Sequence, residues 1–284
     1  MTSDDKTTRS QLELLREHGV KPTKKRGQNF LVDGNLARAI TADIMALGSD
    51  VLELGAGGGA LTRPLLEAGA KVRAIEVDRG LCAVLEEELG SHDRLTLQEG
   101  DIARLDWGHE LKATGECPVM AGNLPYVLTS EVLFALADHR AHVAGGVFMV
   151  QKEVAQRLVA GPGGKEYGVL AVILGSLFSC ELVRTVPSTV FWPRPAVTSA
   201  IVRLVPHKET WDNQEFHAFK GLVKFLFNHR RKQLHRLLRT RLGDADTAHE
   251  MLLGAGIKPS DRPEQVDRER LRVLAQHVRK LEES

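Results

Sequence analysis

Cysteines are scarce in this sequence and long apolar runs are absent, and each shortage disfavours a class of protein. The 284 residues include three cysteines, Cys82, Cys117 and Cys180, whose spacing matches no metal-ligand motif, so they predict reduced core thiols rather than a disulfide framework or a zinc site. No apolar run approaches the ~20 residues of a membrane helix. Residues 1–10 lack the apolar core of a signal peptide. We therefore expect a cytoplasmic protein with no metal and no membrane association.

A strong excess of either charge is also lacking, since the net charge is +1. The charges are nevertheless unevenly distributed. From His207 onward there are 16 Lys and Arg against 12 Asp and Glu, whereas the preceding part has 22 against 25. Residues 216–243 contain eight basic side chains and no acidic one. A near-neutral part followed by a basic part suits a polyanionic substrate.

Short apolar strands alternate with helical patterns between residues 51 and 177, which predicts an α/β fold with a parallel sheet covered by helices on both faces. Two further strands, at 180–186 and 196–205, flank a proline-rich loop and are expected to pair as a hairpin at the end of the sheet. After Pro206 only helical patterns remain, including one predicted over 216–242. We therefore expect two domains, comprising residues 1–206 and 207–284.

A glycine-rich loop follows the first strand of this alternation, with glycines at Gly55, Gly57 and Gly59. Glycines let the main chain approach a ligand, and the helix that follows presents unpaired N–H groups. Glu76 ends the next strand, where an acid can accept hydrogen bonds from ribose hydroxyls. Asp101 follows the third strand and can accept the amino group of a cofactor adenine, with Ile102 against the ring. Together these residues predict a nucleotide cofactor at the carboxyl ends of the strands.

Each of these features has a plain structural alternative when taken alone. A glycine turn can serve only tight packing, and acids are common at strand ends. An NAD-dependent enzyme would also use glycines and a ribose-binding acid. However, Gly59 lies one residue too early for the third glycine of the dinucleotide motif. A dehydrogenase also has no need for the tetrapeptide at residues 123–126, which indicates a different chemistry.

That tetrapeptide, Asn123-Leu124-Pro125-Tyr126, follows the apolar run at 117–122. The Asn123 side chain and the Leu124 carbonyl can accept both N–H bonds of an exocyclic amine, while Pro125 fixes the turn and Tyr126 stacks on the base. Accepting both protons favours a more tetrahedral and more nucleophilic adenine N6. A simple Asn-Pro turn at a strand end is the alternative. Combined with the glycine loop, the pattern indicates methyl transfer from S-adenosylmethionine to a nucleic acid.

Several segments, in this order, resemble the motifs of the ribosomal RNA adenine N6,N6-dimethyltransferases, with the greatest likeness to the bacterial small-subunit (16S) enzymes. The segments are residues 25–31 (Lys-Arg-Gly-Gln-Asn-Phe-Leu), 53–57, 75–78, 100–101, 122–126, 149–158 and 191–200. The resemblance is dense over residues 20–206 and looser beyond. Val127 departs from the family pattern, which usually has Asn or His there, and Val cannot offer a side-chain hydrogen bond.

The resemblance implies a Rossmann-like methyltransferase sheet with a small C-terminal all-helical domain, and S-adenosylmethionine as the cofactor. The residues implied to bind the cofactor are Gln28, Asn29, Leu31, Gly55, Gly57, Glu76, Asp101, Ile102 and Asn123. The residues implied to act on the target base are Asn123, Leu124, Pro125, Tyr126 and Phe191, with the two aromatic rings enclosing the base. From the residues alone, Phe191 would be expected to fill the core.

The substrate implied by the resemblance is a pair of adjacent adenines near the 3′ end of 16S rRNA in an assembling small subunit, modified by a monomeric enzyme. Basic side chains at Lys21, at Lys24, Lys25 and Arg26, and within 228–232 are candidate phosphate contacts, although a charge run is more often a solvated face. The alternatives are a resistance enzyme acting on large-subunit rRNA, an rRNA-binding assembly factor, and a DNA adenine methyltransferase.

Overall fold

The computed structural model describes residues 10–23, 28–208 and 211–283. The chain divides into two compact units. The sheet unit runs to Ala155 and continues over Glu181–Pro206, and the helical unit comprises Gln156–Cys180 and the residues from His207 onward. Pro206 thus ends the sheet unit, while residues 156–180, expected in the first domain, cluster with the helical unit. The assignment of catalysis and RNA binding to two separate domains stays a prediction.

The regular elements alternate along the first part of the chain. The strands are β1 (Phe30–Leu31), β2 (Asp50–Leu54), β3 (Lys71–Glu76), β4 (Leu95–Glu99), β5 (Val119–Asn123), β6 (Gly145–Gln151), β7 (Phe178–Val186), β8 (Phe191–Trp192) and β9 (Ser199–Pro206). The helices are α1 (Gln11–Glu17), α2 (Gly34–Met45), α3 (Thr62–Glu67), α4 (Arg79–Leu89), α5 (Trp107–Thr114), α6 (Thr129–Asp138), α7 (Lys152–Leu158), α8 (Val169–Leu177), α9 (Asn213–Asn228), α10 (Leu234–Leu242), α11 (Ala245–Gly254) and α12 (Arg268–Glu282).

Seven strands form the central sheet in the order β4-β3-β2-β5-β6-β9-β7. The first five are parallel, and β9 pairs antiparallel with β6. In the interior strand β2, Val51 lies opposite Val72 of β3 and Val119 of β5, and all three are buried. Continuous burial is expected where helices cover both faces of a parallel sheet. The α/β prediction is therefore confirmed, including the adjacent positions of the last two long strands.

Side-chain caps define where helices α2 and α4 begin. The Asp33 side chain accepts a hydrogen bond from the backbone N–H of Leu36 and caps α2. The Asp78 side chain accepts from the N–H groups of Gly80 and Leu81 and caps α4 directly after β3. Each cap fixes the first turn of its helix, and therefore the direction in which the chain enters that helix.

The helical unit corrects one prediction. The helix expected over 216–242 is broken, because α9 ends at Asn228 and α10 begins at Leu234. Residues 228–233 contain no apolar side chain that could continue the buried stripe. Within this break Arg230 forms an ion pair with Glu264 at 2.6 Å and donates to the Lys165 carbonyl. The turn is thus held by contacts that are distant in sequence.

Three elements were not expected from the sequence. Helix α5 is short and polar, and β1 and β8 form a separate two-residue antiparallel ladder that pairs Phe30 with Trp192 and Leu31 with Phe191. Such short pairs lack the alternation by which strands are recognised. In the described part of the chain, every helix is too short or too polar to span a membrane.

Candidate cofactor and target-base site

A cleft in the sheet unit opens at the carboxyl ends of β2, β3, β4 and β5. Ligands of open α/β sheets bind at this edge. The structure brings nearly all of the predicted site residues to this cleft, whose lining includes Gln28, Asn29, Leu31, Gly55, Gly57, Glu76, Asp101, Ile102, Asn123, Leu124, Pro125 and Tyr126. Among the predicted residues, Phe191 alone is not part of the described lining. Six segments of chain therefore converge on one cavity.

The glycine loop adopts a backbone that favours glycine. Gly55 has φ +74° and Gly57 has φ +59°, both in the left-handed region where other residues are strained. The N–H groups of Gly55 and Ala56 both donate to the carbonyl of Ile75 in β3, at 2.9 and 3.2 Å. The loop is therefore tied to the neighbouring strand and presents its main chain to the cleft without side chains in the way.

Glu76 is buried and organises the loop. Its carboxylate accepts hydrogen bonds from the backbone N–H groups of Gly57 at 2.8 Å and of Val77 and Asp78 at 2.9 Å. Burial raises the pKa of Glu76, while these three hydrogen bonds oppose the shift. A carboxylate has about four acceptor positions. One position is thus left for a hydroxyl of a bound ligand.

Glu53 is a cleft residue that the sequence reasoning missed. It lies in β2, is only 1% exposed, and accepts a hydrogen bond from the Thr62 hydroxyl of α3 at 2.7 Å. Burial raises the pKa of Glu53 to about 8, although the Thr62 bond lowers it, and the nearby Glu76 raises it further. An acid within the apolar run 51–54 was the available sequence signal, since a buried carboxyl is rare without a partner.

The lining of the cleft is acidic. It contains Glu53, Glu76 and Asp101, and among its described residues there is no Lys, Arg or His. Asp101 accepts a hydrogen bond from the N–H of Ala103 at 3.0 Å, and Nε of Arg104, which lies outside the lining, is 3.8 Å from its carboxylate. Because its pKa is raised to about 8, Glu53 is mostly neutral at pH 7 and adds little to the field of the other two acids. A negative field attracts a cationic ligand and disfavours one that carries several phosphates.

Asn123 is oriented by a long-range hydrogen bond. Its side-chain Nδ2 donates to the main-chain carbonyl of Asn29 at 2.9 Å, across 94 residues of sequence. The amide group is therefore turned so that its Oδ1 is the remaining side-chain acceptor. The next residue, Leu124, has a buried side chain and donates its N–H to the carbonyl of Met149. Hydrogen bonds to other segments thus hold both residues at the end of β5, and both line the cleft.

The two predicted aromatic rings have different environments. Tyr126 lines the cleft, and its hydroxyl lies 2.9 Å from the Ser199 hydroxyl. Phe191 is only 3% exposed and packs within the main core cluster, opposite Leu31. The structure therefore places Phe191 where a core residue would lie, and its contact with a target base stays a prediction. Val127 is 87% exposed.

The basic segments are only partly described. Lys24, Lys25 and Arg26 lie outside the described residues, and Lys21 is exposed. Arg231 and Lys232 are exposed as well, whereas the neighbouring Arg230 is engaged in the contacts given above.

Residues 19–274 match the family model of the ribosomal RNA adenine dimethylases. The chain belongs to this family. Curated relatives include the ribosomal RNA small subunit methyltransferase A of Moorella thermoacetica, 39% identical over 89% of this chain and 91% of the relative. The protein of the same name from Anaeromyxobacter sp. strain K is 41% identical over 88% of this chain and 91% of the relative. The resemblance found in the motifs is thus confirmed along almost the whole chain.

Solved structures agree with this fold. A dimethyladenosine transferase from Plasmodium falciparum superposes with a TM-score of 0.73, at 23% identity over 86% of this chain and 95% of that chain. The 23S rRNA methyltransferase ErmE superposes with a TM-score of 0.67, at 25% identity over 88% of this chain and the whole of that chain. The predictions of a Rossmann-like methyltransferase fold and of S-adenosylmethionine as methyl donor are confirmed by the family.

Proposed function

We propose that this protein methylates N6 of two adjacent adenines near the 3′ end of 16S rRNA, using S-adenosylmethionine, and produces N6,N6-dimethyladenosine in the assembling small subunit. The observation that carries the proposal is the arrangement at the end of β5. There the Asn29 carbonyl orients the Asn123 amide at the rim of a cleft that Tyr126 also lines. We further propose that the enzyme acts in the cytoplasm as a monomer.

The cleft residues fit S-adenosylmethionine chemically. This cofactor carries a sulfonium and an ammonium group and no phosphate, which suits a lining that contains Glu76 and Asp101 and no described cation. Glu76 has one acceptor position left for a ribose hydroxyl, and Asp101 can accept from the adenine amine, with Ile102 beside the ring. Gln28, Asn29 and Leu31 would border the methionine end, close to Gly55 and Gly57.

When bound, S-adenosylmethionine would supply an electrophilic methyl group to the lone pair of N6. The new N–C bond would form as the C–S bond breaks with its electrons going to sulfur, and N6 would release one proton to water. The protein's own task is to position the target base. Asn123 Oδ1 and the Leu124 carbonyl would accept the two N6 protons and favour a tetrahedral nitrogen. Tyr126 would stack on the base, and Pro125 would hold the turn. Positioning of this kind can supply much of a rate enhancement.

The preference for small-subunit rRNA is supported by the relatives. Those at about 40% identity over about 90% of the chain are named small-subunit methyltransferases. The solved 23S rRNA methyltransferase, at 25% identity, is more distant. We propose that the exposed cations of the helical unit, including Arg231 and Lys232, contact the rRNA backbone. Phosphate contacts of this type give affinity without sequence information.

The test is methylation of small subunits that lack the modification. Purified protein and S-adenosylmethionine are incubated with these subunits, and the rRNA is digested and analysed by nucleoside mass spectrometry. We expect N6,N6-dimethyladenosine in the 3′-terminal fragment. Product only on large-subunit rRNA would instead support the resistance activity.

An Asn123→Ala variant is the control for the assembly-factor alternative. It should lose methylation while the protein still binds subunits. Tight binding by the unaltered protein without any methylated product on either subunit would contradict the enzymatic proposal.

A further inference from the structure

Ser199 has a buried hydroxyl that contacts Tyr126, the residue proposed to stack on the target base. Its exposure is 0%, its Oγ lies 2.9 Å from the Tyr126 hydroxyl, and it does not belong to the described lining of the cleft. As the first residue of β9 it lies opposite Gln151 of β6 in the antiparallel ladder. The preceding carbonyl, of Thr198, accepts from the N–H of Lys152 at 3.0 Å. The backbone that carries Ser199 is therefore held by the sheet.

Tyr126 has much weaker local support. It begins a single 3-10 turn after Pro125, which is closed by backbone hydrogen bonds from the Leu128 N–H to the Pro125 carbonyl at 2.9 Å and from the Thr129 N–H to the Tyr126 carbonyl. A tyrosine on such a turn has several staggered rotamers available. Because β6 lies between β5 and β9, the hydroxyl bond to Ser199 spans one strand of the sheet. This bond selects one ring orientation.

Ring orientation matters differently for the two methyl transfers. An unmodified adenine has two N6 protons and can donate to both Asn123 Oδ1 and the Leu124 carbonyl. The monomethylated base has one proton left, so it can donate to only one of these acceptors. Stacking on Tyr126 then supplies a larger share of the contacts that hold N6 in line with the methyl group.

We propose that Ser199 is a positioning residue, which holds the Tyr126 ring in its stacking orientation and acts mainly on the second methyl transfer. The inference rests on the proposed function, because it requires two successive transfers to one nitrogen. Ser199 contacts neither base nor cofactor in this account. Its effect passes through the tyrosine hydroxyl alone.

The test compares Ser199→Ala with Tyr126→Phe, which removes the same hydrogen bond from its other end and keeps the ring. Single-turnover reactions on small subunits are sampled over time, and N6-methyladenosine and N6,N6-dimethyladenosine are quantified by mass spectrometry. In both variants we expect the second transfer to slow about fivefold, the magnitude of one neutral hydrogen bond, and the first to slow less than about twofold. Monomethylated product should therefore accumulate. The double variant should be no slower than either single one, because both remove one interaction.

Thr198→Ala is the matched control, since it removes an exposed hydroxyl one residue away. It should give the product ratio of the unaltered protein. Calorimetric affinity for S-adenosylmethionine should stay the same in all variants. Equal slowing of both transfers, or an unchanged product ratio in Tyr126→Phe, would overturn the proposal even if Ser199→Ala disturbed β9. Absence of any methylated adenine with the unaltered protein would instead overturn the proposed function as well.

Discussion

Replacement of Glu53 by Gln should stabilise the protein, and the gain should grow with pH. Burial raises the pKa of this carboxyl from its ordinary value of 4.5 to about 8 in the folded state. Between these values the unfolded chain releases a proton that the folded protein retains, so stability falls as pH rises. At about 1.4 kcal/mol for each pH unit of difference, the cost reaches on the order of 5 kcal/mol above pH 8.

Gln is nearly isosteric with Glu, has no charge to release, and can still accept the hydrogen bond from Thr62. Urea unfolding of the two proteins should therefore give similar free energies at pH 5. At pH 8.5 the Glu53→Gln variant should be more stable by several kcal/mol. The matched control is Glu67→Gln at the exposed end of α3, where the difference should stay small at every pH. A stability gain from Glu53→Gln that is the same at pH 5 and pH 8.5 would show that Glu53 does not have a raised pKa in the folded protein.

Three further predictions concern the binding residues. Glu76→Ala should weaken S-adenosylmethionine binding about tenfold to a hundredfold in calorimetry and leave RNA binding intact, because it removes the acceptor that holds the glycine loop. Asn123→Ala should slow methylation about a hundredfold in single-turnover assays, with a smaller loss of cofactor affinity. Replacing Arg231 and Lys232 by Ala should lower the slope of log affinity against log salt by about one per lost phosphate contact. Arg230→Ala, by contrast, should mainly lower the melting temperature, because Arg230 is paired with Glu264. If the double variant leaves the salt dependence of RNA affinity unchanged, the Arg231 and Lys232 side chains are exposed to solvent and make no phosphate contact.

Elements with strong periodic patterns could be predicted from the sequence alone. The strands β2, β3 and β5 follow from apolar runs, and their positions bring the predicted acids and glycines to one edge of the sheet. The reason is geometric, since the carboxyl ends of parallel strands necessarily share an edge. This explains why twelve of the cofactor and base residues named from motifs line one cleft.

Features that depend on long-range contacts were not predictable. The bond from Asn123 to the Asn29 carbonyl and that from Tyr126 to Ser199 join residues far apart in sequence. The pairing of Arg230 with Glu264, which holds the turn between α9 and α10, likewise joins distant residues, although the polar run at 228–233 was a sequence signal for the break itself. A helical-wheel projection shows which residues of one segment share a face, and it contains no information about contact partners elsewhere in the sequence. These contacts determine the orientation of side chains, whereas motifs determine only which side chains are present.

The near-zero net charge results from two opposite requirements. A sulfonium cofactor is favoured by carboxylates, and the cleft lining contains Glu76 and Asp101. A polyanionic RNA is favoured by cations, and the segment from His207 onward carries 16 basic against 12 acidic residues. One uniform surface could not satisfy both, because a field that attracts the cofactor repels the nucleic acid. Separating the charges along the chain would meet both needs if the basic segment contacts the RNA, as proposed above.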